Sequence, residues 1–199
     1  MKKALIIVDM LNDFIRDDGK LPIKNTDYVI ENIGKIKGAY EENNILVIYA
    51  NDSHDKDDPE FKDWPEHCVK GTYGAEIIDE LAKSSENVII EKKTFSGFSN
   101  RKMDIALQLN NVKEVYVTGV ATDYCVKHTA LEAQKYGYET YLVTDAIQGA
   151  EVNKGDTNNA LIKMGNAGIK SIKTNEVLEN IVKYAAWGKN ERRNKNSLF

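Results

Sequence analysis

Cysteine is scarce in this chain: Cys68 and Cys125 are the only two among 199 residues. Two thiols cannot build a disulfide scaffold, and a reducing, cytoplasmic setting is the expectation. No stretch approaches the roughly 20 consecutive apolar residues of a membrane span, so no membrane partner is expected. Charge of one sign is not in excess either. A net charge of −4 gives no reason to expect nucleic acid as a partner. Internal repeats and low-complexity tracts are missing. Met1-Lys2-Lys3 runs straight into a strand-like segment without a small-residue cleavage site, so a signal peptide is not expected.

What is present is an ordinary globular balance of 42% apolar and 29% charged residues. The length suits one domain, expected over residues 1–187 and followed by a polar tail over 188–199. The sequence leaves a homo-oligomer open. Ala4-Leu5-Ile6-Ile7-Val8 is continuously apolar, which marks a strand covered on both faces of a parallel sheet. Further strands are expected at 45–49, 88–90, 115–117, 141–143 and 169–172. Helices are expected at 26–43, capped by Asn25 or Thr26 with Val29, Ile33 and Ile36 buried. Others follow at 75–83, at 100–109, after Cys125, around Ala160, Ile162 and Met164, and at 175–185. Strands alternating with helices predict an α/β fold: three α/β/α layers around a six-stranded, mostly parallel sheet.

Ligands of such sheets bind outside the carboxyl ends of the strands. The first strand delivers Asp9 there and the second delivers Asp52 and His54. The third delivers Lys92 or Lys93, and the fourth leads to Cys125. Thr122 is placed to cap the helix that follows, with Cys125 in its first turn, where free N–H groups favour a thiolate. A thiolate attacks a carbonyl carbon once a base has taken its proton, and Asp9 can serve as that base and later as the acid. His128, three residues beyond Cys125, offers a competing local dyad, set one turn deeper in the helix. Asp52, His54 and His67 form a carboxylate-and-imidazole set suited to one divalent transition metal such as zinc, iron or manganese, and Glu60 could add an oxygen. Two prolines and Trp64 in the long loop over 52–74 argue for order there.

These residues carry a resemblance. Ala4 to Phe14, Trp64-Pro65-Glu66-His67-Cys68-Val69-Lys70-Gly71-Thr72 and Gly119-Val120-Ala121-Thr122-Asp123-Tyr124-Cys125-Val126 resemble the isochorismatase-like cysteine hydrolases, and within them the metal-dependent nicotinamidases. The resemblance implies a Rossmann-like hydrolase fold and a triad of Asp9, Lys92 and Cys125. Lys92 is preferred to Lys93 because it stands three residues before Phe95-Ser96-Gly97-Phe98. It also implies metal ligands at Asp52, His54 and His67, with Glu60 at a spacing some members use. A cis peptide between Val120 and Ala121 would help form an oxyanion hole from the N–H groups of Ala121 and Cys125. Phe14, Trp64 and Phe95 would wall the pyridine ring of nicotinamide. Two departures stand out: the loop between His54 and Trp64 is short, and Phe95 stands where tyrosine is common. Another hydrolase of the superfamily, acting on a different small amide or a vinyl ether, is the alternative, and Cys68 is expected to pack beside the metal loop.

Overall fold

In the computed structural model, residues 2–183 are described. Six strands form one sheet: β1 (Lys2–Val8), β2 (Leu46–Asp52), β3 (Val88–Lys92), β4 (Val112–Val120), β5 (Glu139–Gln148) and β6 (Lys170–Ile172). The order is β3-β2-β1-β4-β5-β6, and every pairing is parallel. The sheet is therefore wholly parallel, where a mostly parallel one was expected.

Strand alternation sends successive side chains to opposite faces. Leu5 and Ile7 join Val29, Ile33, Ile36 and Tyr40 of α2 (Asp27–Glu42) and Val177 and Ile181 of α6, which covers 174–183. Ala4, Ile6 and Val8 face the other way, onto Met103 and Leu107 of α3 (Lys102–Leu109) and Ala130 and Ala133 of α4 (Lys127–Lys135). Ala160 and Met164 of α5 (Asp156–Asn166) complete that layer. A short α1 (Asn12–Ile15) follows β1. Ile162 turns out to be exposed, on the solvent face of α5. The expected tail at 188–199 and the end of the last helix lie outside the described residues.

The expected helix over 75–83 does not form. Two short 3-10 turns, Tyr73–Ala75 and Asp79–Leu81, stand there. The backbone between them is used by tertiary partners instead: Asn12 N donates to Glu76 O, and Ile78 N donates to Met10 O. Thr26 holds the N-cap position of α2 without a side-chain cap bond.

The topology fixes where a ligand can sit. From β1 the chain winds outward through β2 and β3, then returns to β4 on the other side of β1 and winds outward again. The carboxyl ends of β1 and β4 are thus the switch point, where loops diverge and leave a crevice. Gly119 lets the two strands meet just below it: at φ 103, a Cβ there would fall 2.0 Å from Val8 O.

Candidate active site

The chain leaves β1 through Asp9 at φ 52, a left-handed conformation that Asp tolerates better than most residues. Asp9 Oδ1 accepts from the Asp52 backbone N–H at 2.7 Å, and Oδ2 accepts from Lys92 Nζ at 2.7 Å. The same ammonium donates to Asp52 Oδ1 at 2.5 Å and lies 3.4 Å from Cys125 Sγ. The structure therefore brings Asp9, Lys92 and Cys125 into mutual contact, and all three are buried. Lys93, the next residue and just past the end of β3, points to solvent and pairs with Asp55, as the alternation of an extended chain favours.

Burial sets the proton energetics of this cluster. It raises the Asp9 carboxyl to about 6, the Asp52 charge adding to the rise and Lys92 opposing it. Burial also drives the Cys125 thiol well above its ordinary value, against the pull of Lys92. For Lys92, burial works against the charge, but the Asp52 and Asp9 carboxylates outweigh it and hold the ammonium protonated. The resting cluster at neutral pH is a thiol beside an ionised carboxylate, bridged by a cation. That pairing suits proton transfer from sulfur to Asp9 once a substrate excludes water.

Cys125 sits in a widened, π-type turn, Thr122–Val126, that opens into α4. Val126 N donates to Ala121 O at 3.1 Å across that turn. Ala121 takes the cap position, so the cap bond expected of Thr122 is not made; its hydroxyl is buried without a partner. The Val120–Ala121 peptide bond is cis, and Ala121 and Cys125 both line the cleft described below. Asp123, two residues before the thiol, is buried and accepts from the backbone N–H groups of Ala150 and Glu151, both at 2.8 Å. His128 packs its ring on Phe95, centroids 5.4 Å apart, and makes no hydrogen bond to Cys125 among the described residues. The competing dyad is not assembled.

Asp52, His54 and His67 converge, each offering a ligand atom within 4.8 Å of the others. Asp52 Oδ1 lies 3.9 Å from His54 Nε2, and its Oδ2 lies 3.9 Å from His67 Nε2. His67 Nδ1 is 2.7 Å from Pro65 O. A carbonyl only accepts, so Nδ1 carries the proton and Nε2 is left with a free lone pair beside Asp52. His54 is fully buried, and its Nε2 has no hydrogen-bond partner. Two imidazoles and one carboxylate, both nitrogens of His54 without a hydrogen bond in the interior, fit a divalent transition cation with room for further ligands. Glu60 faces the same cleft, and its carboxylate groups with His54 and Asp58. Asp58, which sequence reasoning missed, brings Oδ2 to 3.1 Å from His54 Nδ1, out of line for a formed hydrogen bond.

A cleft of about 240 Å³ opens over these groups, smaller than the roughly 300–1,000 Å³ typical of sites for drug-sized ligands. Its floor includes Asp9, Asp52, His67 and Cys125, and Phe14, Trp64 and Phe95 all stand in its wall. Tyr124 completes the aromatic wall, 5.4 Å from Trp64 and 5.6 Å from Phe95 between ring centroids. Tyr124, the 20–23 segment and Ala150 with Val152 also line the cleft and were not singled out from sequence. Tyr124 carried a signal, since it adjoins the cysteine. The two loops carried none, because only tertiary contacts bring them here.

Titratable side chains gathered over an aromatic cleft at the switch point of a parallel sheet are the make-up of an α/β enzyme. The chain belongs to the isochorismatase family: that family's model, described as the isochorismatase domain, matches residues 3–186. It is similar to a pyrazinamidase of Pyrococcus horikoshii solved in complex with zinc, at 36% identity and a TM-score of 0.80, covering 87% of this chain and 99% of that one. It is also similar to a pyrazinamidase/nicotinamidase from Streptococcus mutans, at 32% identity and a TM-score of 0.79, covering 86% and 100%. An N-carbamoylsarcosine amidase from Thermoplasma acidophilum matches at 32% identity and a TM-score of 0.79, covering 87% and 97%. Among the described residues no helix is long and apolar enough to cross a membrane.

Proposed function

We propose that this protein is a metal-dependent nicotinamidase, hydrolysing nicotinamide to nicotinate and ammonia in NAD salvage. One observation carries the reading: Asp52 and His67 of the cation donor set line the same small aromatic cleft as Cys125. A ring with a basic nitrogen at one end and a carboxamide at the other matches a cleft with a cation site at one end and a thiol at the other. The similarity to pyrazinamidases, one of them solved with zinc, supports it.

A zinc, iron or manganese ion held by Asp52, His54 and His67, with Glu60 as a candidate further donor, would supply a Lewis acid for the ring nitrogen, directly or through water. The chain's own groups do the rest. Phe14, Trp64 and Phe95 hold the ring. Asp9 takes the Cys125 proton, and sulfur adds to the carboxamide carbon, sending the C=O electron pair onto oxygen. The N–H groups of Ala121 and Cys125 receive that oxyanion. The pair returns, the C–N bond breaks, and Asp9 hands its proton to the departing nitrogen, releasing ammonia. Asp9 then deprotonates a water that adds to the thioester. The C–S bond breaks, the proton returns to sulfur, and nicotinate leaves. Lys92 keeps the paired carboxylates and the sulfur in register throughout.

A different small amide is the second reading, favoured by the similarity to an N-carbamoylsarcosine amidase. Ammonia release from nicotinamide by the purified, zinc-loaded protein decides between them, run beside a chelated sample and Cys125→Ala. Turnover lost in both controls is expected. No ammonia from nicotinamide, with release from another amide, would sink the reading.

A further inference from the structure

The groups named so far leave the buried carboxylate of Asp13 unused. Asp13 is buried, and it has no cationic side-chain partner among the described residues. Its two oxygens are instead spent on backbone N–H groups from two separate loops. Oδ2 accepts from Cys68 N at 2.7 Å, and Oδ1 accepts from Lys20 N at 3.2 Å.

Both loops matter. Cys68 follows His67 directly, and its carbonyl accepts from His54 N at 3.0 Å. It sits at φ 46, a left-handed conformation that a residue with a Cβ adopts at a cost and holds only where its surroundings fix it. The peptide held by Asp13 therefore lies between the two histidine donors. On the other side, Lys20 begins the 20–23 segment that lines the cleft. Residue 74 is cut to fit this arrangement: a Cβ on Gly74 would fall 2.1 Å from Asp13 Oδ2.

We propose that Asp13 is a positioning residue that ties the His54/His67 cation donors to the cleft wall at 20–23. The inference rests on reading Asp52, His54 and His67 as a metal site. A carboxylate that fixes a donor's backbone acts as outer-shell partners do, whose loss weakens metal affinity about 10–100-fold. Through its other oxygen, the same change loosens the wall against which the ring packs.

The test measures the zinc dissociation constant of the folded protein by chelator competition, together with nicotinamide KM and kcat at saturating zinc. Asp13→Asn and Asp13→Ala are expected to weaken zinc binding about tenfold or more, and to raise KM several-fold with a smaller change in kcat. Gly74→Ala, which displaces the carboxylate without removing it, is expected to act in the same direction and decides the matter if the Asp13 variants fail to fold. A purely structural Asp13 would lower only the melting temperature, leaving the zinc constant and KM of the folded variants within twofold of the parent; that result overturns the proposal. A parent protein that binds no zinc overturns the metal reading itself, and this proposal with it.

Discussion

Lys92 Nζ stands 2.7 Å from Asp9 Oδ2, both side chains out of contact with bulk water. Asp52 shares the same ammonium, so one buried cation answers two buried carboxylates. Removing it leaves like charges facing each other in a medium that screens them poorly. Lys92→Met is expected to abolish turnover and to destabilise the fold by about 3–5 kcal/mol in urea denaturation, the range for breaking a buried pair. Lys93→Met, just past the end of the strand and exposed, is expected to shift stability by no more than about 0.5 kcal/mol. Equal losses for the two variants would refute the assignment.

The two thiols should part company just as clearly. Cys125 lines the cleft, whereas Cys68 is buried behind His67. Cys125→Ala is expected to remove ammonia release from nicotinamide below detection, and Cys68→Ala to leave most of it. The reverse pattern would exchange their roles.

Metal content provides a third check. Elemental analysis is expected to find one equivalent of transition metal in the parent and to find it lost in His54→Ala and in His67→Ala, with turnover lost in step. Chelation of the parent should stop turnover and added zinc restore it. Full activity in a metal-free sample would remove the cation from the proposed chemistry.

Stability should also depend on pH through His128. Burial, reinforced by Lys127 and Lys163, lowers its pKa below the ordinary histidine value, with Glu132 opposing. A base with a depressed native pKa binds protons more readily when unfolded, so stability rises with pH between the native and unfolded values. Its contribution is complete above the ordinary histidine value of 6.5 and is lost as the pH falls below it. The denaturation midpoint of the parent, taken relative to that of His128→Gln, should drop across that range. Superimposable slopes for the two proteins would rule this out.

Much of the scaffold could be read from local pattern. The unbroken apolar run before Asp9 announced a strand covered twice. Position beyond a strand and its turn singled out Cys125, while at the third strand it left Lys92 and Lys93 both open until the resemblance chose Lys92. The misread segment, 75–83, shows where pattern stops. Ile78 and Leu81 recur at helical spacing, yet the backbone around them is claimed by Met10 and Asn12. Thr122 failed as a cap for a similar reason, since a widened turn moved the cap to Ala121. Asp13, Asp58 and Asp123 stayed hidden because nothing in their neighbourhoods along the chain reveals their partners. Their partners at the site are 4 to 55 residues away, from His54 beside Asp58 to Cys68 beside Asp13.

The bond from Asp123 to Ala150 and Glu151 has a mechanical meaning. The strap that closes one side of the cleft is hitched two residues from the sulfur. Wall and turn are thereby one connected piece at that corner of the cleft, joined by two backbone N–H groups on a single buried carboxylate.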